Sequence, residues 1–394
     1  MANESPFLNI KVECPVCQTI NEFEQIKVGA FNENGRDTDF CPQEILWRYP
    51  KYQAYNPLVF FTATCSNCFY TREFSNKYRD WKTDNAFRNF QLKTIKPKHL
   101  EQLSQADSVV RQLGEAINIH RYPNESAILK LHLAIFDAYQ VDHPSSLDLG
   151  RFYLRIGWIF RSLNESDDPN LSLLSGLVTE IGDKFAGFEA AMSDSQKALD
   201  ELAESVKAQF DADQLPAELQ SEMFTYRDRY EVEMMALNDL VGQVGQQRKE
   251  FKALFNEYGS AILGSSNGDG PVSFGEYASL TDFLIRLQQN WSGIAINEHQ
   301  ALEQAIGHYK DAFANGRDIA AGNQQIQASY LIAELSRRIG DYDGAKQFFT
   351  STIKTGQEYI YQNRRDQSRT VLARKILELA IEQGRANLQA SKQG

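Results

Sequence analysis

Cys14-Pro-Val-Cys17 and Cys65-Ser-Asn-Cys68 are two CxxC pairs with 47 residues between them. Two thiolates at this spacing chelate one ion from a tight turn, and two such turns complete a tetrahedral four-cysteine zinc site. Soft thiolates in a tetrahedron select zinc or an iron–sulfur centre. The expected cofactor is therefore structural Zn2+, held by Cys14, Cys17, Cys65 and Cys68. The fifth cysteine, Cys41 in Gly35-Arg-Asp-Thr-Asp-Phe-Cys41, is surplus to a tetrahedron. It reads as a buried packing thiol, with the alternative that it replaces a ligand or contacts the metal. Asp37 and Asp39 read as turn-capping carboxylates, the alternative being hydrogen bonds to knuckle amides. A dithiol redox couple is disfavoured, because both CxxC pairs share one small module and no βαβ pattern surrounds them.

Outward from the cysteines, residues 1–92 read as a small β-rich, zinc-ribbon-like module. Its dense aromatics, among them Trp47, Tyr52, Tyr55, Phe60, Phe61, Tyr70, Tyr78 and Trp81, are expected to form the core of so small a domain. Stacking on nucleic-acid bases is the alternative use. After Pro97 the texture turns helical. Residues 93–164 are expected to be helical, with three helices from Leu100 to Leu163, the last over Ser146–Leu163 with Leu149, Phe152, Tyr153, Ile156, Ile159 and Phe160 on one face. Asn164 to Pro169 breaks it.

Residues 165–262 carry heptad spacing. Leu171, Leu174, Val178, Ile181, Phe185, Phe188, Met192, Leu199, Leu202 and Val206 form one seam. After Asp211-Ala-Asp-Gln-Leu-Pro216, a second seam takes Leu219, Met223, Tyr226, Tyr230, Leu237, Leu240, Val244, Phe251, Leu254 and Tyr258. Apolar residues at this period predict a coiled coil, here an inserted antiparallel hairpin, since a partner within the chain costs less entropy than one outside it. A flexible loop, Leu263 to Pro271, follows. From about Phe274 helices resume, within a last segment, 263–394.

The segment Tyr330-Leu-Ile-Ala-Glu-Leu-Ser-Arg-Arg-Ile-Gly340-Asp-Tyr-Asp-Gly-Ala-Lys-Gln-Phe-Phe349 has the tetratricopeptide spacing. Gly340-Asp-Tyr342 is the turn, Ala345 the small residue at the helix crossing and Phe349 its cover. Stacked helices of this kind form one body. Its concave face is expected either to take a protein partner or to be filled by the chain itself.

Cys-Pro-Val-Cys17, Arg36-Asp-Thr-Asp-Phe-Cys-Pro42, Asn56-Pro57, the second CxxC with its following aromatic, and Gly150-Arg-Phe-Tyr-Leu-Arg-Ile-Gly-Trp-Ile-Phe-Arg161 resemble the bacterial domain-of-unknown-function 2225 family. The Tyr330–Phe349 segment is similar to it as well. The resemblance implies a zinc-ribbon-like N-terminus and tetratricopeptide-like helices, and no reaction. It is expected to cover the ribbon and both helical flanks, about 280 residues by the length of the matching segments, and to omit the hairpin. One departure stands out. Knuckles of this kind place glycine after the second cysteine, where φ is positive. Gln18 and Phe69 stand there instead, so altered knuckle geometry is expected.

Whole-chain values narrow the function classes. The 394 residues are 42% hydrophobic and 24% charged, ordinary for a soluble globular chain. Five cysteines are too few for a disulfide scaffold, and no signal sequence or apolar stretch of membrane-spanning length is visible. A cytoplasmic location is therefore expected. The net charge of −11 is uneven, with 20 acidic and 8 basic residues in 165–262 against 32 and 33 elsewhere. No Walker, G-x-G-x-x-G, G-x-S-x-G or H-E-x-x-H motif occurs, so no enzymatic reaction is expected. The six histidines lie outside the ribbon, and His299 with Glu303 reads as a solvated pair. Arg337, Arg338, Arg364, Arg365, Arg369, Arg374 and Lys375 read as a solvated basic face. The resulting expectation is a mainly α, zinc-binding scaffold that engages a protein partner, its hairpin giving either reach or self-association. A nucleic-acid-binding regulator and a thiol redox sensor using Cys41 are the alternatives.

Overall fold

A computed structural model describes residues 5–49, 52–53, 55–119, 122–165, 169–210, 217–262, 277 and 279–392. The chain divides into two units, 1–166 with 271–394 and 167–270.

The first unit begins with three two-stranded antiparallel sheets, β1 (Phe7–Glu13) with β2 (Ile20–Ile26), β3 (Phe31–Arg36) with β4 (Pro42–Trp47), and β5 (Thr62–Thr64) with β6 (Thr71–Glu73). The first and third hairpins each turn through a CxxC pair. Phe7 and Trp47 are buried, with Tyr52 edge-on to Phe7 at 5.1 Å and Phe60 4.5 Å away. The aromatics thus supply the core that short sheets cannot build from aliphatics alone.

Helices follow: α1 (Asn76–Arg79), α2 (Leu92–Ser104), α3 (Val109–Glu115), α4 (Pro123–Ala138) and α5 (Ser146–Glu165). Helix therefore starts upstream of Pro97, which lies inside α2 behind a π-helical turn at Phe87–Gln91. Proline deprives the carbonyl four residues back of its partner. Here Pro97 and Lys93 both lie on the exposed side of the helix. Helix α4 is buried from Ser126 to Asp137, and its polar members Lys130, His132 and Asp137 are hydrogen-bonded there. Its continuation is α8 (Leu280–Asn290), α9 (Glu298–Asn315), α10 (Asn323–Arg338), α11 (Tyr342–Gln362) and α12 (Gln367–Ala390). Gly340 turns α10 into α11 at φ +85°, and the Asp341 side chain accepts from Gly344 N to cap α11. Ala345 and Phe349 are buried against Ile326, Tyr330, Ala333 and the α12 residues Ala373, Ile376 and Ala380.

The loop between β3 and β4 reaches into this helical body. Asp39 is fully buried and receives Arg161 Nη2 at 2.7 Å, Trp158 Nε1 at 3.2 Å and the Cys41 amide at 3.2 Å. Asp37 pairs with Arg338 at 2.7 Å and Arg161 at 3.1 Å. Burial opposes its ionisation, but the Thr38 amide and Arg338 hold its pKa below the usual value. Tyr330 Oη donates to Thr38 O at 2.7 Å, and Phe40, at φ +67°, packs on the Tyr330 ring at 5.6 Å. The buried Glu334 accepts from Arg337 and Arg338 at 2.7 and 3.0 Å. Two expectations change. Asp37 and Asp39 do cap their own turn, yet they are chiefly ion-pair partners of helices far along the chain. Arg337 and Arg338 are not a solvated face, because their side chains are only 23% and 18% exposed and spent on these carboxylates.

The second unit is α6 (Pro169–Phe210) and α7 (Ala217–Ile262), 42 and 46 residues, about 63 and 69 Å long at 1.5 Å per residue. Gln196 Nε2 donates to Asn238 Oδ1 at 3.3 Å between them. The part-covered side chains on α6 are Met192, Gln196, Leu199, Ala203 and Val206; on α7 they are Met223, Arg227, Tyr230, Met234, Val241, Val244 and Arg248. This corrects the expected seams in part. Phe188 and Leu202 on α6, and Tyr226 and Leu240 on α7, are 46–63% exposed. Met192, Leu199, Val206, Met223, Tyr230 and Val244 are part-covered as expected, while at the alternate heptad positions the covered residue is the next one along, Gln196, Ala203, Arg227 and Val241. The side chains of Leu171, Leu174, Val178, Ile181, Phe185, Leu219, Phe251, Leu254 and Tyr258 lie outside the described residues, as do the 211–216 turn, the 263–271 loop and Phe274.

Candidate metal centre

The sulfurs of Cys14, Cys17, Cys65 and Cys68 all lie within 4.8 Å of one another. Cys14 Sγ is 3.6 Å from Cys68 Sγ, and Cys17 Sγ is 3.5 Å from Cys65 Sγ. A metal–sulfur bond of about 2.3 Å puts the corners of a regular tetrahedron about 3.8 Å apart. The four sulfurs therefore fit one tetrahedral, thiophilic ion with small adjustments. Among the described residues, no other group of three or more His, Cys, Asp or Glu converges in this way, so His299 and Glu303 join no such cluster.

Each pair is set by the same local structure. Gln18 N donates to Cys14 O and Cys14 N to Thr19 O; Phe69 N donates to Cys65 O and Cys65 N to Tyr70 O, all at 2.9 Å. Such turns need a left-handed residue after the second cysteine, and Gln18 and Phe69 supply it at φ +64° and +62°. The expectation that bulky residues would alter the knuckles is thus not met. At Phe69 the strain is carried by the surroundings. The Phe69 ring lies over Gly114 of α3, where an added Cβ would come within 2.1 Å of it. Only glycine leaves that room.

Three of the four cysteines are fully buried. Crowding makes them share protons unequally. Hydrogen bonds from Cys14 and Cys68 hold Cys65 far below the usual thiol pKa, while the contact with Cys65 pushes Cys14 up to about 12. An arriving cation resolves this competition by taking all four as thiolates. Asn21, 5% exposed, braces the cluster: its Nδ2 donates to Cys65 Sγ at 3.4 Å, and its Oδ1 accepts from Ser66 N and Oγ at 2.9 Å.

Two helical residues reach the second pair. His99 Nε2 lies 2.7 Å from Cys68 O, and His99 Nδ1 lies 2.6 Å from Asp137 Oδ1. Both neighbours are acceptors, so both ring nitrogens carry protons. Burial opposes this charge, but Asp137 raises the His99 pKa above its ordinary value. His132 is the opposite case. It donates from Nδ1 to Ile128 O at 3.0 Å and accepts at Nε2 from Ala295 N at 3.0 Å, and burial lowers its pKa to about 4. Asn21, His99 and Asp137 were not legible as site residues. The last two stand 31 and 69 residues beyond Cys68, and neither carries a spacing signal.

Cys41 lies outside the cluster. It is half-buried at the end of the docked loop, with Sγ 3.6 Å from Pro42 O. No described helix is long and apolar enough to cross a membrane.

A family model described as "Uncharacterized protein conserved in bacteria (DUF2225)" matches residues 7–223 and 242–372. The match takes in α6 and the start of α7 and passes over only 224–241, so the two-helix arm is not, as expected from the quoted motifs, an addition outside the family pattern. No curated protein and no solved structure matches the chain.

Proposed function

This chain belongs to the bacterial DUF2225 family, and from that premise we propose that it is a cytoplasmic, zinc-stabilised adaptor that engages a protein partner through its two-helix arm. The observation that carries the reading is the apolar surface of that arm. Phe188, Leu202, Tyr226, Val232, Met235 and Leu240 are 46–68% exposed on helices whose facing seams are only half covered. Apolar residues repeated along one element mark an interaction surface. The tetratricopeptide-like helices serve as the platform, and their own chain already takes up the space at Arg161, Glu334 and Arg338, so this reading puts the partner on the arm. Self-association is one form such a partner takes. Zinc contributes folding free energy and no chemistry, because four protein thiolates leave no open coordination position. Arg337 and Arg338 are committed to Glu334 and Asp37, which weakens the nucleic-acid alternative.

A photo-crosslinking residue placed at Phe188 or Met235 tests the reading. A discrete adduct with one protein, or with a second copy of the chain, is expected. Absence of any adduct at both positions, or the same adducts from an equally exposed Tyr361 control, refutes the arm as the contact surface.

A further inference from the structure

The four residues Cys68 to Thr71 are gripped from both ends by two side chains of the helical body. At one end, Cys68 O accepts from His99 Nε2 of α2 at 2.7 Å. At the other, Thr71 N donates to Asp137 Oδ2 of α4 at 2.8 Å. Asp137 Oδ1 closes the ring by accepting from His99 Nδ1 at 2.6 Å. Between these two bonds, the Tyr70 ring stands edge-on to His99 at 5.6 Å and the Phe69 ring covers Gly114. His99 and Asp137 are 0% and 3% exposed, so the clamp is closed to competing water. The first pair has no such clamp on its following residue, since Gln18 is exposed at the same left-handed φ.

We propose that His99 and Asp137 are positioning residues of the metal centre, which keep the Cys65–Cys68 half-site in its ligating shape so that an ion needs only to draw in Cys14 and Cys17. Neither side chain touches a sulfur; both hold backbone atoms, Cys68 O and Thr71 N. Their action on the thiolates is therefore geometric: they hold the backbone on which Cys68 Sγ hangs. A ligand fixed by an outer hydrogen bond loses less freedom on binding, and removing such partners weakens metal sites by about 10–100-fold. The proposal rests on the reading of the four cysteines as a metal site.

Two amide substitutions separate the two hydrogen bonds of the ring. The short amide of His99→Asn replaces Nδ1 and keeps Asp137, but does not reach Cys68. The longer amide of His99→Gln replaces Nε2 and keeps Cys68. Zinc affinity of the full chain is measured by competition with a chromophoric chelator. His99→Asn is expected to bind zinc about 10–100-fold more weakly, and His99→Gln within about threefold of the parent. A parent that takes up no zinc overturns the metal-site reading itself. A parent that binds zinc, with His99→Asn matching it or His99→Gln losing as much as His99→Asn, overturns the positioning role alone. Should His99→Asn not fold, Asp137→Asn is measured instead. It is expected to weaken zinc by about tenfold, and unchanged affinity overturns the proposal.

Discussion

Arg161→Leu tests whether the Asp37–Cys41 loop is locked into the helical body by buried charge. Arg161 is 12% exposed and faces a fully buried Asp39 through two contacts, Nη2 to Oδ2 at 2.7 Å and Nη1 to Oδ1 at 3.2 Å. It also binds Glu298 at 2.7 Å and Asp37 at 3.1 Å. Removing one member of a buried pair leaves an uncompensated charge and costs about 3–5 kcal/mol. Asp39 keeps the Trp158 and Cys41 donors, with Arg338 at 4.0 Å, so the lower end, about 3 kcal/mol, is expected. Asp39→Asn in the same background removes the stranded charge. The double variant should then be less destabilised than the sum of the singles, by about 2 kcal/mol. Urea unfolding followed by far-ultraviolet circular dichroism reads both as shifts of midpoint at unchanged slope. The exposed pair Arg111–Glu115, at 43% and 57%, serves as control and should cost no more than about 0.5 kcal/mol on Arg111→Leu. An Arg161→Leu loss under about 1 kcal/mol, or strict additivity with Asp39→Asn, refutes the argument.

The other predictions bear on the knuckles, the buried histidine and the metal. Gly114→Ala drives a methyl into the Phe69 ring at 2.1 Å and should cost about 2–3 kcal/mol, read by thermal melting; a neutral outcome means that ring does not cover α3. Gln18→Gly relieves an exposed left-handed residue and should stabilise by about 0.5–1 kcal/mol, with destabilisation counting against the positive φ. His132 has a folded pKa of about 4 against 6.5 unfolded. The unfolded chain therefore binds the extra proton between these values, and stability falls as pH drops from 6.5 toward 4. At pH 5 the His132 share of this loss is about 2 kcal/mol, and it should vanish in His132→Gln; an equal loss in variant and parent removes the assignment. Elemental analysis of chain purified without chelator should find about one zinc per chain, and a finding of none defeats the four-thiolate site.

The residues that the sequence makes legible share one property: their signal is local. CxxC spacing brings two sulfurs to one turn whatever the rest of the chain does, so Cys14, Cys17, Cys65 and Cys68 could be named without a structure. Periodicity marked the long helices of the arm for the same reason, because a helix places residues three and four apart on one face. It did not say which flank meets the partner helix. Leu202, Tyr226 and Leu240 each sit one residue before a covered position, and a 3.6-residue helix cannot distinguish such neighbours by spacing alone. The left-handed turns after Cys17 and Cys68 were legible as turns. That Phe69 can occupy one depended on Gly114, 45 residues away.

Sequence alone determined a mainly helical chain with one four-cysteine centre and a pair of long helices, because composition, spacing and period act over a few residues. Tertiary structure decided the rest. It sent Asp37 and Asp39 to Arg161 and Arg338, tied Cys68 through His99 to Asp137, and left Cys41 outside the metal cluster. Carboxylates and guanidinium groups lie in most sequences without a pattern. Which of them meet is set by the packing of helices more than a hundred residues apart, and burial then turns an ordinary surface charge into a fixed partner.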